Sequence, residues 1–342
     1  MNRRLGLALG GGGLRGVAHV GVLSELSAAG LAPDVIAGTS SGSIVAALYA
    51  LGYPPAELAR QVTRLRASAL HDLFRPLPLG PVIAGSSGSL LGRFRLARLL
   101  LKLPHGFIDA RSFERFLRFI CRGGTFQDLK LPLVVLATDI ASGELVAFTQ
   151  VPPRQHDLEA TVFLPGRDLA TALRASSSLP GYFPPKEVEG RLLVDGALRA
   201  NVPVPVLRAM GAEVVVAVDL GTPPGARVPR TLVDILWQTM SILERQVTQA
   251  HLAQADVVIA PQVPPMPWTD AGRIPLALAA GAQAARAALP RLHAVLTAPA
   301  GREKTRVALS AALAPEKDGG VEPGAGQFTA AGKEFPYPEP KL

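Results

Sequence analysis

Three serines, Ser40, Ser41 and Ser43, stand within four positions of one another in the stretch Val35-Ile-Ala-Gly-Thr-Ser-Ser-Gly-Ser-Ile-Val-Ala-Ala-Leu48. A serine hydroxyl can attack an acyl carbonyl if a nearby base takes its proton and hydrogen-bond donors hold the developing oxyanion. Gly38-Thr-Ser-Ser-Gly42 fits G-x-S-x-G with Ser40 at the centre, after an apolar run and before a helix-like one. That strand–turn–helix context is what the motif demands, because a sharp turn lifts the central side chain off the sheet. Gly38 and Gly42 admit the tight backbone. Ser41 falls outside the central slot, and Ser43 falls in the first helical turn, where hydroxyls bond the backbone. The same five residues would also make an ordinary Ser/Thr-rich helix cap, so the reading needs a base and oxyanion donors beside it. Gly85-Ser-Ser-Gly-Ser89 is equally rich in serine but lacks the preceding strand and the second glycine in register, and reads as a flexible loop.

Donors are supplied by the run Gly10-Gly-Gly-Gly13 after the apolar Leu5–Leu9. Gly11, Gly12 and Gly13 let backbone N–H groups approach a reacting carbonyl without side-chain obstruction. The stretch Gly11-Gly-Gly-Leu-Arg-Gly16 also fits G-x-G-x-x-G, the dinucleotide fingerprint, which gives a nucleotide-binding or regulatory protein as the alternative reading. That fingerprint wants an acidic residue ending the second strand. Here the second strand ends in Gly38-Thr39-Ser40, which favours the oxyanion reading.

For the base, none of the six histidines stands at a recognisable strand end, and His19, the nearest, reads as a packed helical residue. Three carboxylates do stand at the ends of strand-like runs: Asp139 in Ala-Thr-Asp-Ile, Asp195 in Leu-Val-Asp-Gly-Ala, and Asp219 in Val-Asp-Leu-Gly. Ligand sites of open parallel sheets collect at those ends. Spacing alone does not choose among the three, although Gly196 and Ala197 leave the Asp195 carboxylate unobstructed.

The elements that must carry these residues follow from periodicity. Strands are expected at Leu5–Leu9, Asp34–Ala37, Leu133–Ala137, Leu192–Val194, Val214–Val218 and Val257–Ala260. Helices are expected at Leu14–Ala29, ended by Gly30, and at Ser41–Leu51, ended by Gly52 and Pro54. Alternation of this kind builds an α/β fold on a parallel sheet with right-handed crossovers. Phe74–Gly106 and Val151–Pro165 read as irregular insertions, and residues from about 298 as a disordered tail of Ala, Gly, Pro, Glu and Lys. Within the first insertion, Leu90–Leu103 interleaves leucines with Arg93, Arg95, Arg98 and Lys102. It reads as a surface helix that would suit a lid over 80–104 or contact with anionic lipid.

With 342 residues, 48% of them hydrophobic, the chain can bury a large core. A single cysteine, Cys121, excludes an internal disulfide and fits a reducing compartment, the cytoplasm being the expectation. The two arginines and short apolar run at the N-terminus imitate a signal peptide, but glycines and Arg15 interrupt the run and no A-x-A site follows, so secretion by that route is not expected. No run of about 18 apolar residues suggests a membrane span. An excess of 35 Lys+Arg over 27 Asp+Glu favours anionic partners. Aromatics at 5%, without interleaved basic residues, argue against nucleic acid and leave a peripheral contact with anionic membrane open.

Taken together, the motifs resemble the patatin-like phospholipases, and specifically the bacterial members of that family. Gly11-Gly-Gly-Leu-Arg-Gly16 resembles the family's oxyanion loop, Gly38-Thr-Ser-Ser-Gly42 its nucleophile elbow, and Asp195-Gly196-Ala197 its D-G-A/G motif. Flanking text agrees in Val17-Ala-His-Val-Gly-Val-Leu23, Ala137-Thr-Asp-Ile140 and Ala175-Ser-Ser-Ser-Leu-Pro-Gly-Tyr-Phe-Pro-Pro185. The resemblance implies a three-layer fold with a mainly parallel central sheet between helices, and a Ser-Asp dyad at strand C-terminal ends. Ser40 would be the nucleophile and Asp195 the base, with no histidine, metal or organic cofactor; Arg15 matches the family's basic position. It implies a catalytic unit over 5–205, a continuation of the same α/β unit over 206–297, and the tail over 298–342. The expected activity is hydrolysis of carboxylic esters in phospholipids or lysophospholipids, a catalytically silent lipid-binding relative being the further alternative. Headgroup, acyl position and oligomeric state leave no mark in these patterns.

Overall fold

The computed structural model describes residues 3–74, 108–154, 158–221, 232–267 and 269–298. The expected amphipathic segment and lid, the loop Gly85–Ser89 and the tail beyond 298 lie outside these residues.

Among the described residues nine strands form one sheet: β1 (Leu5–Leu9), β2 (Val35–Thr39), β3 (Leu133–Asp139), β4 (Leu145–Thr149), β5 (Thr161–Pro165), β6 (Lys186–Val188), β7 (Arg191–Asp195), β8 (Val214–Val218) and β9 (Val257–Ile259). The order along the main path is β5-β4-β3-β2-β1-β8-β9, with β7 pairing β3 and β6 pairing β7. The five strands from β3 to β9 on this path are parallel. Antiparallel pairing enters where β4 and β7 meet β3 and where β6 meets β7.

Both faces of the sheet are covered, and the two-residue alternation of strands decides what each face receives. Leu5, Leu7 and Leu9 of β1 point into a core shared with α1 (Ala18–Ala28), α2 (Ser41–Ala50), α3 (Pro55–Thr63) and, further along the chain, the helix at Ala110–Ile120. The short α4 (Ala67–Leu73) precedes that helix, which is α5; α6 (Leu169–Ser176) shares the same core. Ala8 points the other way, into a core with Ala200 of α7 (Ala197–Ala200) and with α8 (Val204–Ala209), where α9 (Leu232–Leu252) adds Leu252. α10 (Ile274–Thr297) packs along α1 on the first face. The approach is close enough that a Cβ on Gly21 or Gly281 would run into the facing backbone. The result is the mainly parallel, three-layer sandwich that the motifs imply.

Two expectations need correction. The segment 151–165 is not irregular throughout, since Thr161–Pro165 forms β5, paired in parallel with β4. It is a half-exposed edge strand ending in proline, and its apolar run, Val162-Phe163-Leu164, is only three residues long, a weak sequence signal. The first helix does not begin at Leu14. A 3₁₀ segment, Gly13–Val17, comes first and α1 starts at Ala18, because Gly13 turns the chain at φ +59° as it leaves the glycine loop. Strands β4 and β6 also went unanticipated. Among the described residues no helix is long and apolar enough to cross a membrane.

Candidate active site

Ser40 occupies the turn between β2 and α2 at φ +52° and ψ −125°, a conformation that a residue with a Cβ rarely adopts. Three contacts hold it there. Its N–H donates to Ser176 Oγ at 2.9 Å, and its carbonyl accepts from the Ser43 N–H at 3.0 Å and Ser43 Oγ at 2.6 Å. The flanking glycines are required by space. A Cβ on Gly38 would lie 2.6 Å from the Gly42 carbonyl group, and one on Gly42 would strike the carbonyl oxygens of Leu9 and Gly10. The turn can therefore be this sharp only with glycine on both sides.

Strand β3 brings the carboxylate to the serine. On one edge it pairs in parallel with β2 as far as Thr39↔Leu136. Its other edge is taken by β4 through Thr138, so β7, which pairs with Ala137–Asp139, must continue along the edge that β2 vacates. The first position of that new pairing is Ala137↔Asp195. The end of β2 and the end of β7 thus meet at one spot, and Ser40 and Asp195 become neighbours across 155 residues of sequence (195 − 40).

Asp195 is 1% exposed, hydrogen-bonds the Ser40 side chain, and accepts the Ala197 N–H at 2.9 Å. Burial pushes its carboxyl up to about 6, against the opposing pull of those two hydrogen bonds. The other two strand-end carboxylates are engaged elsewhere. Asp139 pairs with Arg191 at 3.0 Å, and Asp219 pairs with Arg245 at 2.9 Å while accepting the Gly221 N–H. Of the three, Asp195 is the one that the strand pairing places beside Ser40.

The glycine loop lies against the same turn. Gly16 packs on Ser41 so closely that a Cβ would sit 2.5 Å from the Ser41 side chain. Gly11 donates its N–H to Asn201 Oδ1 at 2.7 Å, a buried bond that commits this donor. Gly12 and Gly13 make no such backbone bond among the described residues, and both line a cavity with Ser40. Arg15 donates to the Leu220 carbonyl at 2.5 Å and faces the fields of Asp219 and Glu244. His19 is fully buried with Nε2 2.7 Å from the Gly10 carbonyl, so that nitrogen carries the proton and the ring braces the loop. Burial holds His19 near 4, hence neutral at pH 7.

Ser40 stands where two cavities meet. One, of about 750 Å³, is lined by apolar side chains including Val20, Ile44, Leu48, Leu58, Phe113 and Phe183. The other, of about 350 Å³, holds Gly12, Gly13, Asp195 and the charged groups Arg15, Asp219, Glu244 and Arg245. Sequence reasoning missed Ser176, Asn201 and Glu244. Ser176 stood within a quoted run of serines, whereas single Asn and Glu residues on helical stretches carry no distinguishing pattern.

This is a three-layer α/β fold with a hydroxyl–carboxylate pair at its strand ends. A family model described as patatin-like phospholipase matches residues 7–208, and the chain belongs to that family. The mouse patatin-like phospholipase domain-containing protein 7 is 30% identical over 223 residues, which are 64% of this chain and 14% of that protein. Lysophospholipase NTE1 of Mycosarcoma maydis is 28% identical over 271 residues, 79% of this chain and 11% of that protein. The chain thus spans a small part of the length of these curated relatives. Among solved structures, full-length ExoU of Pseudomonas aeruginosa in complex with SpcU aligns at a TM-score of 0.42 and 20% identity, covering 86% of this chain and 52% of that chain.

Proposed function

We propose that the chain is a serine acyl hydrolase acting on carboxylic esters of phospholipids or lysophospholipids through a Ser40–Asp195 dyad. The observation that carries this reading is the hydrogen bond between the Ser40 side chain and a buried carboxylate, at the mouth of an apolar cavity. Ser40 Oγ attacks the ester carbonyl carbon while its proton passes to Asp195. The carbonyl oxygen becomes an oxyanion, and the N–H groups of Gly12 and Gly13 receive it, joined by the N-terminal dipole of α2. Gly11, its N–H held by Asn201, fixes the loop instead of donating to substrate. Collapse breaks the ester C–O bond, and the departing alcohol takes the proton from Asp195. Water then attacks acyl-Ser40, Asp195 accepts its proton, and the fatty acid leaves as Ser40 recovers a hydrogen.

A carboxylate in water is a weak base for this task, and burial is what strengthens Asp195. Each oxyanion donor contributes on the order of 3 kcal/mol to transition-state stabilisation, so the base need not supply the whole acceleration. The apolar cavity suits an acyl chain and the polar one a headgroup-bearing leaving group. A peripheral, cytoplasmic placement with contact to anionic membrane fits the net charge of +8.

The test combines fluorophosphonate labelling with hydrolysis of a lysophospholipid and of a p-nitrophenyl ester. Ser40→Ala should abolish labelling, and both Ser40→Ala and Asp195→Asn should lower kcat/KM at least about 10³-fold. Labelling that survives Ser40→Ala, or full hydrolysis by Asp195→Asn, would refute the dyad.

A further inference from the structure

Both members of the dyad are tied to one short stretch of chain, the end of α6, whose residues take no part in the bond-making steps. The Ser40 N–H donates to Ser176 Oγ at 2.9 Å, and the Asp195 N–H donates to the Ser178 carbonyl at 3.0 Å. Ser176 and Ser178 are fully buried. The stretch is itself locked. Arg174, also buried, donates from Nη1 to Ser178 Oγ and from Nη2 to the Pro184 carbonyl at 2.8 Å, with its guanidinium 5.0 Å from the centre of the Phe183 ring. Glu114, the acidic group whose field reaches it, pairs instead with Lys186 at 2.8 Å. A buried cation without a carboxylate partner costs stability, and what this one secures is the shape of the loop Ser178–Pro184. That loop sends Phe183 to the apolar cavity and Leu179 and Tyr182 to the polar one.

We propose that Ser176 is a positioning residue for the ester hydrolysis: its hydroxyl fixes the Thr39–Ser40 peptide so that Ser40 Oγ stays on the Asp195 carboxylate, which the same stretch of chain holds from the other side. This rests on the dyad reading above. Ser40 sits at φ +52° and ψ −125°, a backbone conformation that lasts only where its surroundings hold it. The two Ser43 bonds to the Ser40 carbonyl fix the helix side of the turn. On the strand side the Ser40 N–H has one partner among the described residues, Ser176 Oγ. Without that acceptor the peptide is free to turn toward an unstrained conformation and carry Oγ away from the carboxylate. Asp195 would stay in place, held by the Ser178 carbonyl and by the Ala197 N–H. Ser176 lines neither cavity, so it acts through Ser40 and not on the substrate.

Ser176→Ala should lower kcat about 10- to 100-fold for long and short esters alike, the scale of loss for a reacting group displaced by about 1 Å, with KM within about twofold of wild type. The acidic limb of the kcat profile should move up by about 0.5 pH unit, because Asp195 loses the Ser40 hydrogen bond that lowers its carboxyl. Arg15, Asp219, Glu244 and Arg245, the other charged groups of the polar cavity, are unchanged by the substitution. Made in an Asp195→Asn background, where no base remains to be aligned with, Ser176→Ala should slow fluorophosphonate labelling by less than about twofold. A kcat for Ser176→Ala within about twofold of wild type would overturn the proposal. So would an undiminished loss in the Asp195→Asn background, which is the mark of a packing role. Should the alanine variant not fold, hydrogen exchange at the wild-type Ser40 amide decides instead. Protection equal to that of the β2 amides is expected, and free exchange would overturn the proposal. Absence of Ser40 labelling in the wild type would refute the dyad itself and is read separately from these variants.

Discussion

The two cavities that meet at Ser40 are built by different means. The apolar one lies on the face covered by α1, α2, α3 and α5. Its walls are helical side chains at i, i+1 and i+4, such as Ile44, Val45 and Leu48 along one face of α2. The polar one is assembled from chain segments far apart in sequence: the glycine loop, the ends of β7 and β8, and one face of α9. The first is a shape and the second a set of charges. Any enzyme that cleaves a lipid ester needs both, because the acyl half of the substrate asks for volume and the alcohol half for polar contacts. Ser40 belongs to each only because the elbow between β2 and α2 stands on their boundary.

This division predicts that substitutions in the two cavities differ in kind. Leu48 stands seven residues into α2 after Ser41, about 10 Å along the helix axis at 1.5 Å per residue. Leu48→Trp should therefore block the far part of the apolar cavity and leave the part near Ser40 open. Hydrolysis of long-chain lysophospholipid should fall about 10- to 100-fold, given about 0.8 kcal/mol for each methylene that can no longer be buried. A p-nitrophenyl acetate assay on the same protein should stay within about twofold. Equal losses for both substrates would show that the apolar cavity does not hold the acyl chain.

A charge change in the polar cavity should do the reverse. Asp219→Asn keeps an acceptor for the Gly221 N–H and removes the partner of Arg245. The cavity becomes more positive and Asp195 a weaker base, so kcat/KM should drop about 3- to 10-fold for short and long esters alike. If the loss grows with chain length, the separation between the two cavities fails.

How much of this could be read before the fold was known differs in the same way. Ser40 and the glycine loop announce themselves because their requirements are local: a hydroxyl between glycines, and backbone with no side chains. The core strands follow from continuous apolar runs. Spacing left Asp195 as one of three strand-end carboxylates and the resemblance of Asp195-Gly196-Ala197 to the family's motif singled it out, but its approach to Ser40 depends on β3 passing one edge from β2 to β7, a long-range pairing with no local signature. Asn201, which takes the Gly11 N–H, and Glu244, which enters the polar cavity from α9, act only through neighbours distant in the chain. The half-exposed edge strand β5 was hidden for a different reason, since its apolar run of three residues, Val162-Phe163-Leu164, is too short to stand out.

The smallest expected effect concerns stability and also separates the polar side from the rest of the fold. Asp195 has an ordinary carboxyl value of 3.8 when unfolded and about 6 in the folded protein. Between those values the folded state holds a proton that the unfolded chain has released, so stability falls as pH rises from about 4 to 6 and stays reduced above. The gap corresponds to a ceiling of about 3 kcal/mol at 1.36 kcal/mol per pH unit. An asparagine in place of Asp195 would keep the bond from the Ala197 N–H and carry no charge to desolvate. Asp195→Asn should therefore be more stable than wild type by about 1–3 kcal/mol at pH 7.5, with the difference shrinking towards zero near pH 4. His19 works in the opposite sense, since its value of about 4 lies below the unfolded 6.5 and stability is lost as pH falls through that window. It is the same in both proteins and cancels in the comparison. Urea melts of the pair at pH 4.5, 5.5 and 7.5 measure the difference directly. A gap independent of pH, or a less stable Asp195→Asn at pH 7.5, would mean that the buried charge is not what the active site gives up in stability to keep its base.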